Sequence, residues 1–139
     1  MQILIADDDP TYLSLLESLL VPWGCEVVRA ADGNEAWRAL EADPTPDVVI
    51  ADWMMPGMDG YGLCRKIRSD RRTSDLYVIL ITGSHQKEDI IRVLVCGADD
   101  YLIKPFIALD LEVRFRAARR ILELKKEVTH LRELTGANV

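Results

Sequence analysis

In Pro46-Asp47-Val48-Val49-Ile50-Ala51-Asp52-Trp53-Met54-Met55-Pro56-Gly57-Met58-Asp59-Gly60, four apolar residues run without a polar break into an acid, and a loop rich in Pro and Gly follows. A continuous apolar run marks a strand buried on both faces, as in a parallel sheet covered by helices; a strand with one wet face would alternate. Working outward, Ile3-Leu4-Ile5-Ala6 and Val78-Ile79-Leu80-Ile81 read the same way. Cys25-Glu26-Val27-Val28 is a weaker run, and Tyr101-Leu102-Ile103 is the last.

Helical patterns separate these runs. Asp9 is placed to cap a first helix with Pro10 at its first position, where the missing N–H costs nothing. Leu13, Leu16 and Leu20 then share a face, and Pro22 and Gly24 stop the pattern. Asp32-Gly33-Asn34-Glu35 reads as a turn and cap leading to Ala36, Ala39 and Leu40, and Asp59 as the cap for a helix with Leu63 and Ile67. A fourth helix spans Glu88 to Val95, closed at Gly97, and a fifth starts near Ala108. Ile90, Ile91, Val93, Leu94 and Val95 make the fourth apolar nearly all round, which is expected to mean deep packing rather than a partner-binding face. Five β-then-α units predict a doubly wound α/β fold, and right-handed crossovers put helices on both faces.

The chain has 139 residues, enough for one core, with 49% hydrophobic and 29% charged residues and a net charge of −6. That field does not favour nucleic acid, and no direct nucleic-acid contact is expected. Arg114, Arg116, Arg119 and Arg120 cluster late in the chain and are read as a solvated helix face. Cys25, Cys64 and Cys96 lack metal-finger spacing and lie in apolar stretches, so they are read as small core residues. The N-terminus lacks a signal-peptide pattern and no run is long enough to span a bilayer. A cytoplasmic protein without a membrane partner is the expectation.

In such sheets ligands sit outside the carboxyl ends of the strands. Asp7, Asp8 and Asp9 follow the first strand, and Asp52 ends the third. Thr82, Gly83 and Ser84 follow the fourth, and Lys104-Pro105 the fifth. Each alone has a bland reading: Asp9 as a cap, Asp52 as a strand-end acid, Thr82 as a local backbone bonder, Lys104 as surface. Together at one rim they are hard to read as independent accidents. Two carboxylates about 4 Å apart repel by roughly 4 kcal/mol at an effective dielectric near 20, so such a cluster keeps protons or recruits a cation. Oxygen ligands without Cys or His point to Mg²⁺ rather than zinc. A carboxylate can attack phosphorus to give an acyl phosphate, with positioning and charge neutralisation doing the rest.

The sequence resembles the receiver domain of bacterial two-component response regulators. The resemblance rests on Ile3–Pro10, Pro46–Gly60, Ile81-Thr82-Gly83 and Gly97–Phe106, in order and at matching spacings. It implies a flavodoxin-like five-stranded parallel sheet in the order 2-1-3-4-5. It implies a phosphorylation-dependent signalling switch rather than an enzyme in the ordinary sense. A histidine kinase or histidine phosphotransfer protein would donate to Asp52, and the change would be relayed at the helix 4, strand 5 and helix 5 face. Asp7 and Asp8 correspond to the Mg²⁺-binding pair, with Asp8 the direct ligand and Asp52 and the backbone carbonyl of Met54 completing the set. Thr82 corresponds to the switch hydroxyl, Tyr101 to the aromatic that moves with it, and Lys104 to the phosphoryl-binding lysine, with Lys104–Pro105 expected to be cis.

The boundary is expected at 1–120 for the receiver, with 121–139 a C-terminal helical extension. Leu111, Phe115, Ala118 and Leu122 form a stripe assigned to packing, while Ile121, Leu124, Val128 and Leu131 form a seam at 3-4-3 spacing. That seam is about two heptads long, too short for a sure coiled coil, and reads either as a homodimer contact or as a linker. Gly136–Val139 reads as an end or a truncation. Two competitors remain. A haloacid-dehalogenase-type phosphatase typically carries a second Asp two residues past the nucleophile, where this chain has Met54. A receiver-like module that only binds proteins would not need the full acid, Thr and Lys set.

Overall fold

The computed structural model describes residues 1–136; Ala137, Asn138 and Val139, part of the proposed terminal segment, lie outside the described residues. The elements alternate: β1 (Gln2–Ala6), α1 (Pro10–Leu20), β2 (Glu26–Ala30), α2 (Gly33–Glu41), β3 (Val48–Asp52), α3 (Gly60–Ser69), β4 (Tyr77–Thr82), α4 (Lys87–Val95), β5 (Asp100–Ile103) and α5 (Ala108–Thr135). All pairings are parallel and the order is β2-β1-β3-β4-β5, as expected. The chain divides into two compact units, Met1–Phe106 and the segment from Ile107 onward.

Within the first unit the two faces of the sheet follow from the strict alternation of side chains. Leu4, Ala6, Val49, Ala51, Val78 and Leu80 share one buried cluster with Ala36 and Leu40 of α2, Leu63, Cys64 and Ile67 of α3, and Val93 of α4. Ile3, Ile5, Ile50, Ile79 and Ile81 alternate with these, so they point to the other side, and they too are buried. The right-handed crossover from β1 to β2 sets α1 there, with Leu13, Leu16 and Leu20 inward. Burying each such side chain contributes about 1.5–3 kcal/mol. The edge strand β2 is only partly buried, which accounts for its weaker apolar pattern.

The helix starts are fixed by the predicted acids. Asp9 Oδ1 accepts the Thr11 N–H at 2.9 Å, Asp32 Oδ1 the Glu35 N–H at 2.7 Å, and Asp59 Oδ1 the Gly62 N–H at 2.7 Å. Pro22 does not end α1 abruptly: a 3-10 turn at Val21–Trp23 carries the chain on to Gly24, whose φ of 86° makes the reversal. The Lys104–Pro105 bond is cis, as expected, and so is Asp43–Pro44.

Helix α4 departs from expectation. Only Val93 is buried, while Ile91, Leu94 and Val95 are exposed. Its nine residues touch the cluster along one line, so an all-round apolar composition cannot be an all-round burial. In the second unit, Leu111, Phe115 and Ala118 are the buried residues of α5, and Leu122 is half-buried. Three of the four clustered arginines contact residues of their own helix. Arg114 donates to the Asp110 carbonyl at 3.0 Å, Arg116 pairs with Glu112 at 2.8 Å, and Arg119 lies 5.4 Å from the Phe115 ring.

Candidate functional site

The parallel sheet delivers the ends of β1, β3, β4 and β5 to one rim. Ala6 pairs with Ala51 and Asp52 with Ile81, so Asp7 follows β1 beside the end of β3. The Asp7 N–H donates to the Ala30 carbonyl at 3.1 Å and the Trp53 N–H to the Ile81 carbonyl at 2.8 Å, extending the ladder past the last apolar residue. The Lys104 N–H donates to the Thr82 carbonyl at 2.7 Å, which seats the lysine at the same rim.

Carboxylate oxygens of Asp7, Asp8 and Asp52 lie within 4.8 Å of one another. Lys104 Nζ donates to Asp7 Oδ2 at 2.9 Å and to Asp52 Oδ2 at 3.2 Å. Asp7 is fully buried, and its other oxygen accepts the Asp9 N–H at 2.9 Å. Asp8 is exposed, and with Met54, Met55, Pro56 and Asp59 it lines an open cleft of about 440 Å³. Burial of Asp52, reinforced by the neighbouring Asp7 charge, raises its carboxyl from 3.8 to about 6, against the pull of Lys104 and of the Met54 N–H bonded to it. Burial alone would lower Lys104, but its hydrogen bond to Asp7 and the charges of Asp52 and Asp7 outweigh that, and the ammonium is held above its usual range.

The donor chemistry fits Mg²⁺. Three carboxylates meet with one lysine, leaving an excess of negative charge when all are ionised. The donors are oxygens, and Asp8 faces the cleft where a hydrated cation could enter.

The structure therefore brings Asp7, Asp8, Asp52, Lys104 and the Met54 backbone together. Thr82 lies at the rim, fully buried, with its hydroxyl accepting the Ser84 N–H at 3.1 Å. Tyr101 is half-buried on β5, opposite Leu80. Two contacts escaped the sequence reading. The Tyr12 ring stands 3.8 Å from Lys104 Nζ, and Ser84 Oγ donates to Asp89 at 2.6 Å while accepting the Gln86 N–H at 3.1 Å. Tyr12 gives no pattern signal because it lies off the Leu13–Leu16–Leu20 face. Ser84 and Asp89 have a five-residue spacing that matches no helical cap.

Residues 3–116 match the response regulator receiver domain family. Over 119 residues, 86% of this chain, the sequence is 44% identical to a Guillardia theta protein described as "Probable transcriptional regulator ycf27", covering 45% of that protein. It is 40% identical, over the same share, to the DNA-binding dual master transcriptional regulator RpaA of Synechocystis, covering 49% of it. The chain thus spans about half the length of these relatives. The receiver domain of the Pseudomonas aeruginosa PAO1 sensor histidine kinase PA1611, solved with a magnesium ion in its active site cleft, superposes with a TM-score of 0.75 at 31% identity, over 86% of this chain and 94% of that one. The expectation of no nucleic-acid partner gains no support, since one of these relatives is a DNA-binding regulator. Net charge averages over all 139 residues, so a value of −6 does not decide the question. Among the described residues no helix is long and apolar enough to cross a membrane. Sheet order, rim chemistry and sequence agree, and the chain belongs to the response regulator receiver domain family, whose members are signalling domains rather than conventional enzymes.

Proposed function

We propose that Asp52 is the phosphoacceptor and that a histidine kinase or histidine phosphotransfer protein supplies the phosphoryl group. The observation that carries this is Lys104 Nζ lying between Asp7 and Asp52, residues from three strand ends held at 2.9 and 3.2 Å. An Asp52 oxygen attacks phosphorus, the bond to the donor's leaving atom breaks, and an acyl phosphate remains. Lys104 turns from Asp52 to a phosphoryl oxygen, and the Thr82 hydroxyl donates to another. Asp8 directly, with Asp7, Asp52 and the Met54 carbonyl, would hold Mg²⁺, which supplies neutralising charge for the phosphoryl oxygens. Residues 1–120 act as the receiver and 121–139 as its extension. A cytoplasmic setting suits three buried, free thiols.

The relay runs through Thr82 and Tyr101 to α4 and β5. Moving a population from 1:99 to 99:1 takes about 5.5 kcal/mol. Hydrogen bonds to charged groups give roughly 1.5–3 kcal/mol each, so new contacts from Thr82 and Lys104 are of the right size. The exposed Ile91, Leu94 and Val95 suit a surface read by a partner. Intact mass after treatment with a small phosphodonor and Mg²⁺ tests the assignment. The chain gains one phosphoryl group and Asp52→Asn gains none; label retained at that site in the Asn variant overturns it.

A further inference from the structure

Two of the three thiols meet at a junction the signalling chemistry does not use. Cys64 lies in the middle of α3 and Cys96 is the C-terminal cap of α4; both belong to the buried cluster beneath the sheet. Their approach is fixed by Arg68, one turn after Cys64. Its Nε donates to the Gly97 carbonyl at 2.8 Å, Nη1 donates to the Ser74 carbonyl at 2.9 Å and to the Leu76 carbonyl, and Nη2 pairs with Asp99 at 2.7 Å. The guanidinium thereby ties α3 to the residue following Cys96. Gly97, at φ 102°, turns the chain there, and a Cβ on it would stand 2.8 Å from Arg68 Cγ, so the backbone is drawn hard against α3. Cys96 is hydrogen-bonded on two sides: its thiol reaches the Val93 carbonyl at 2.9 Å, and the Cys64 thiol bonds to its sulfur.

We propose that Cys64 and Cys96 form a reversible intramolecular disulfide, a modification site that clamps α3 to the C-terminal end of α4. Cys96 is the attacking sulfur and Cys64 the resolving one. Cys96 keeps a small exposed edge while Cys64 has none. The bond donated by Cys64 favours the Cys96 thiolate and, against burial, lowers that thiol to about 7, while Cys64 itself is pushed up. The oxidant is a small hydroperoxide. The Cys96 thiolate attacks one peroxide oxygen and the O–O bond breaks, leaving Cys96 as a sulfenic acid and the other oxygen, with a proton, as an alcohol or water. The Cys64 sulfur then displaces water. Two thiols and one hydroperoxide become one disulfide, one alcohol or water, and one water; the sulfurs lose two electrons and the O–O bond gains them. Cys25, the buried residue before β2, lies outside the buried cluster that holds Cys64 and Cys96 and is expected to stay reduced.

The bridge does not depend on the role of Asp52; only its effect on signalling does. The folded 139-residue chain is treated with hydrogen peroxide, quenched, denatured and alkylated. The expected intact species is about 2 Da lighter than the reduced chain before alkylation, carries one alkyl group rather than three, and yields a peptide joining residues 64 and 96 that dithiothreitol separates. Cys64→Ser gains about 16 Da or more on the unresolved Cys96, and Cys96→Ser keeps both remaining thiols. Three alkylated cysteines after peroxide, a bridge that includes Cys25, or only a dimer linked between chains each overturns the proposal. Phosphorylation of the bridged and reduced forms is measured separately, with Asp52→Asn as control. If the bridge forms but Asp52 takes no label in either state, the phosphoacceptor assignment fails and the thiol site stands.

Discussion

Asp52 is an acid that its surroundings hold back from ionising. Its carboxyl is raised from 3.8 to about 6, chiefly by burial and then by Asp7. A raised folded value means that the native chain holds a proton between about pH 4 and 6 that the unfolded chain has released, so stability falls as pH rises through that window. The shift corresponds to about 3 kcal/mol. With metal removed by chelator, Asp52→Asn is therefore expected to be more stable than the parent at pH 8 by a few kcal/mol, and the gap should close below about pH 4. Urea titrations at the two pH values check this; equal midpoints at pH 8 would show that Lys104 already neutralises the cluster.

At the scale of elements, the end of β3 and the start of α3 are held together by the absence of a side chain. A Cβ on Gly60 would press on the Asp52 carbonyl and stand 2.8 Å from Trp53 Cα, while the Gly60 N–H donates to the Trp53 carbonyl at 3.0 Å. Gly60→Ala is expected to cost about 1–3 kcal/mol in denaturant and to slow phosphorylation by shifting Asp52; Gly83→Ala, with open space around it, should leave stability nearly unchanged. Much of this was legible in the chain. The apolar runs located all five strands because burial on both faces suppresses alternation, and Asp9, Asp32 and Asp59 marked helix starts because their short side chains satisfy the first N–H groups. The rim acids and Lys104 could be named because a parallel sheet sends every strand end to one side. Tyr12 and the Ser84–Asp89 bond could not, since both depend on how a loop folds back in space. Helix α4 misled because composition counts apolar residues but not the area its neighbours offer them.

For the whole molecule, the exposed seam of α5 bears on association. Ile121, Leu124, Val128 and Leu131 are all exposed along α5, at the 3-4-3 spacing of a heptad seam. In a parallel pair Glu127 of one helix would face Arg132 of its partner, a favourable cross-strand charge match. Light scattering is expected to find a concentration-dependent dimer that Leu124→Asp abolishes; a monomer in both phosphorylated and unphosphorylated states removes the seam reading. Mg²⁺ that binds only the assembled rim stabilises the fold by mass action, about 2.7 kcal/mol at a hundred times its dissociation constant. The melting temperature should therefore rise with Mg²⁺ in the parent and much less in Asp8→Asn, and a melting temperature indifferent to Mg²⁺ would count against the metal site.

Lys104 meets Asp7 across 97 positions of sequence. A nascent chain emerging from the ribosome holds its acids long before it holds the lysine that offsets them. Until the last strand is synthesised and docked, the rim lacks the one lysine that the proposed phosphoryl transfer would use. On the proposed role of Asp52, a half-made copy is expected to take up label more slowly than the finished chain, which pulse treatment of a fragment ending before β5 with a small phosphodonor would check.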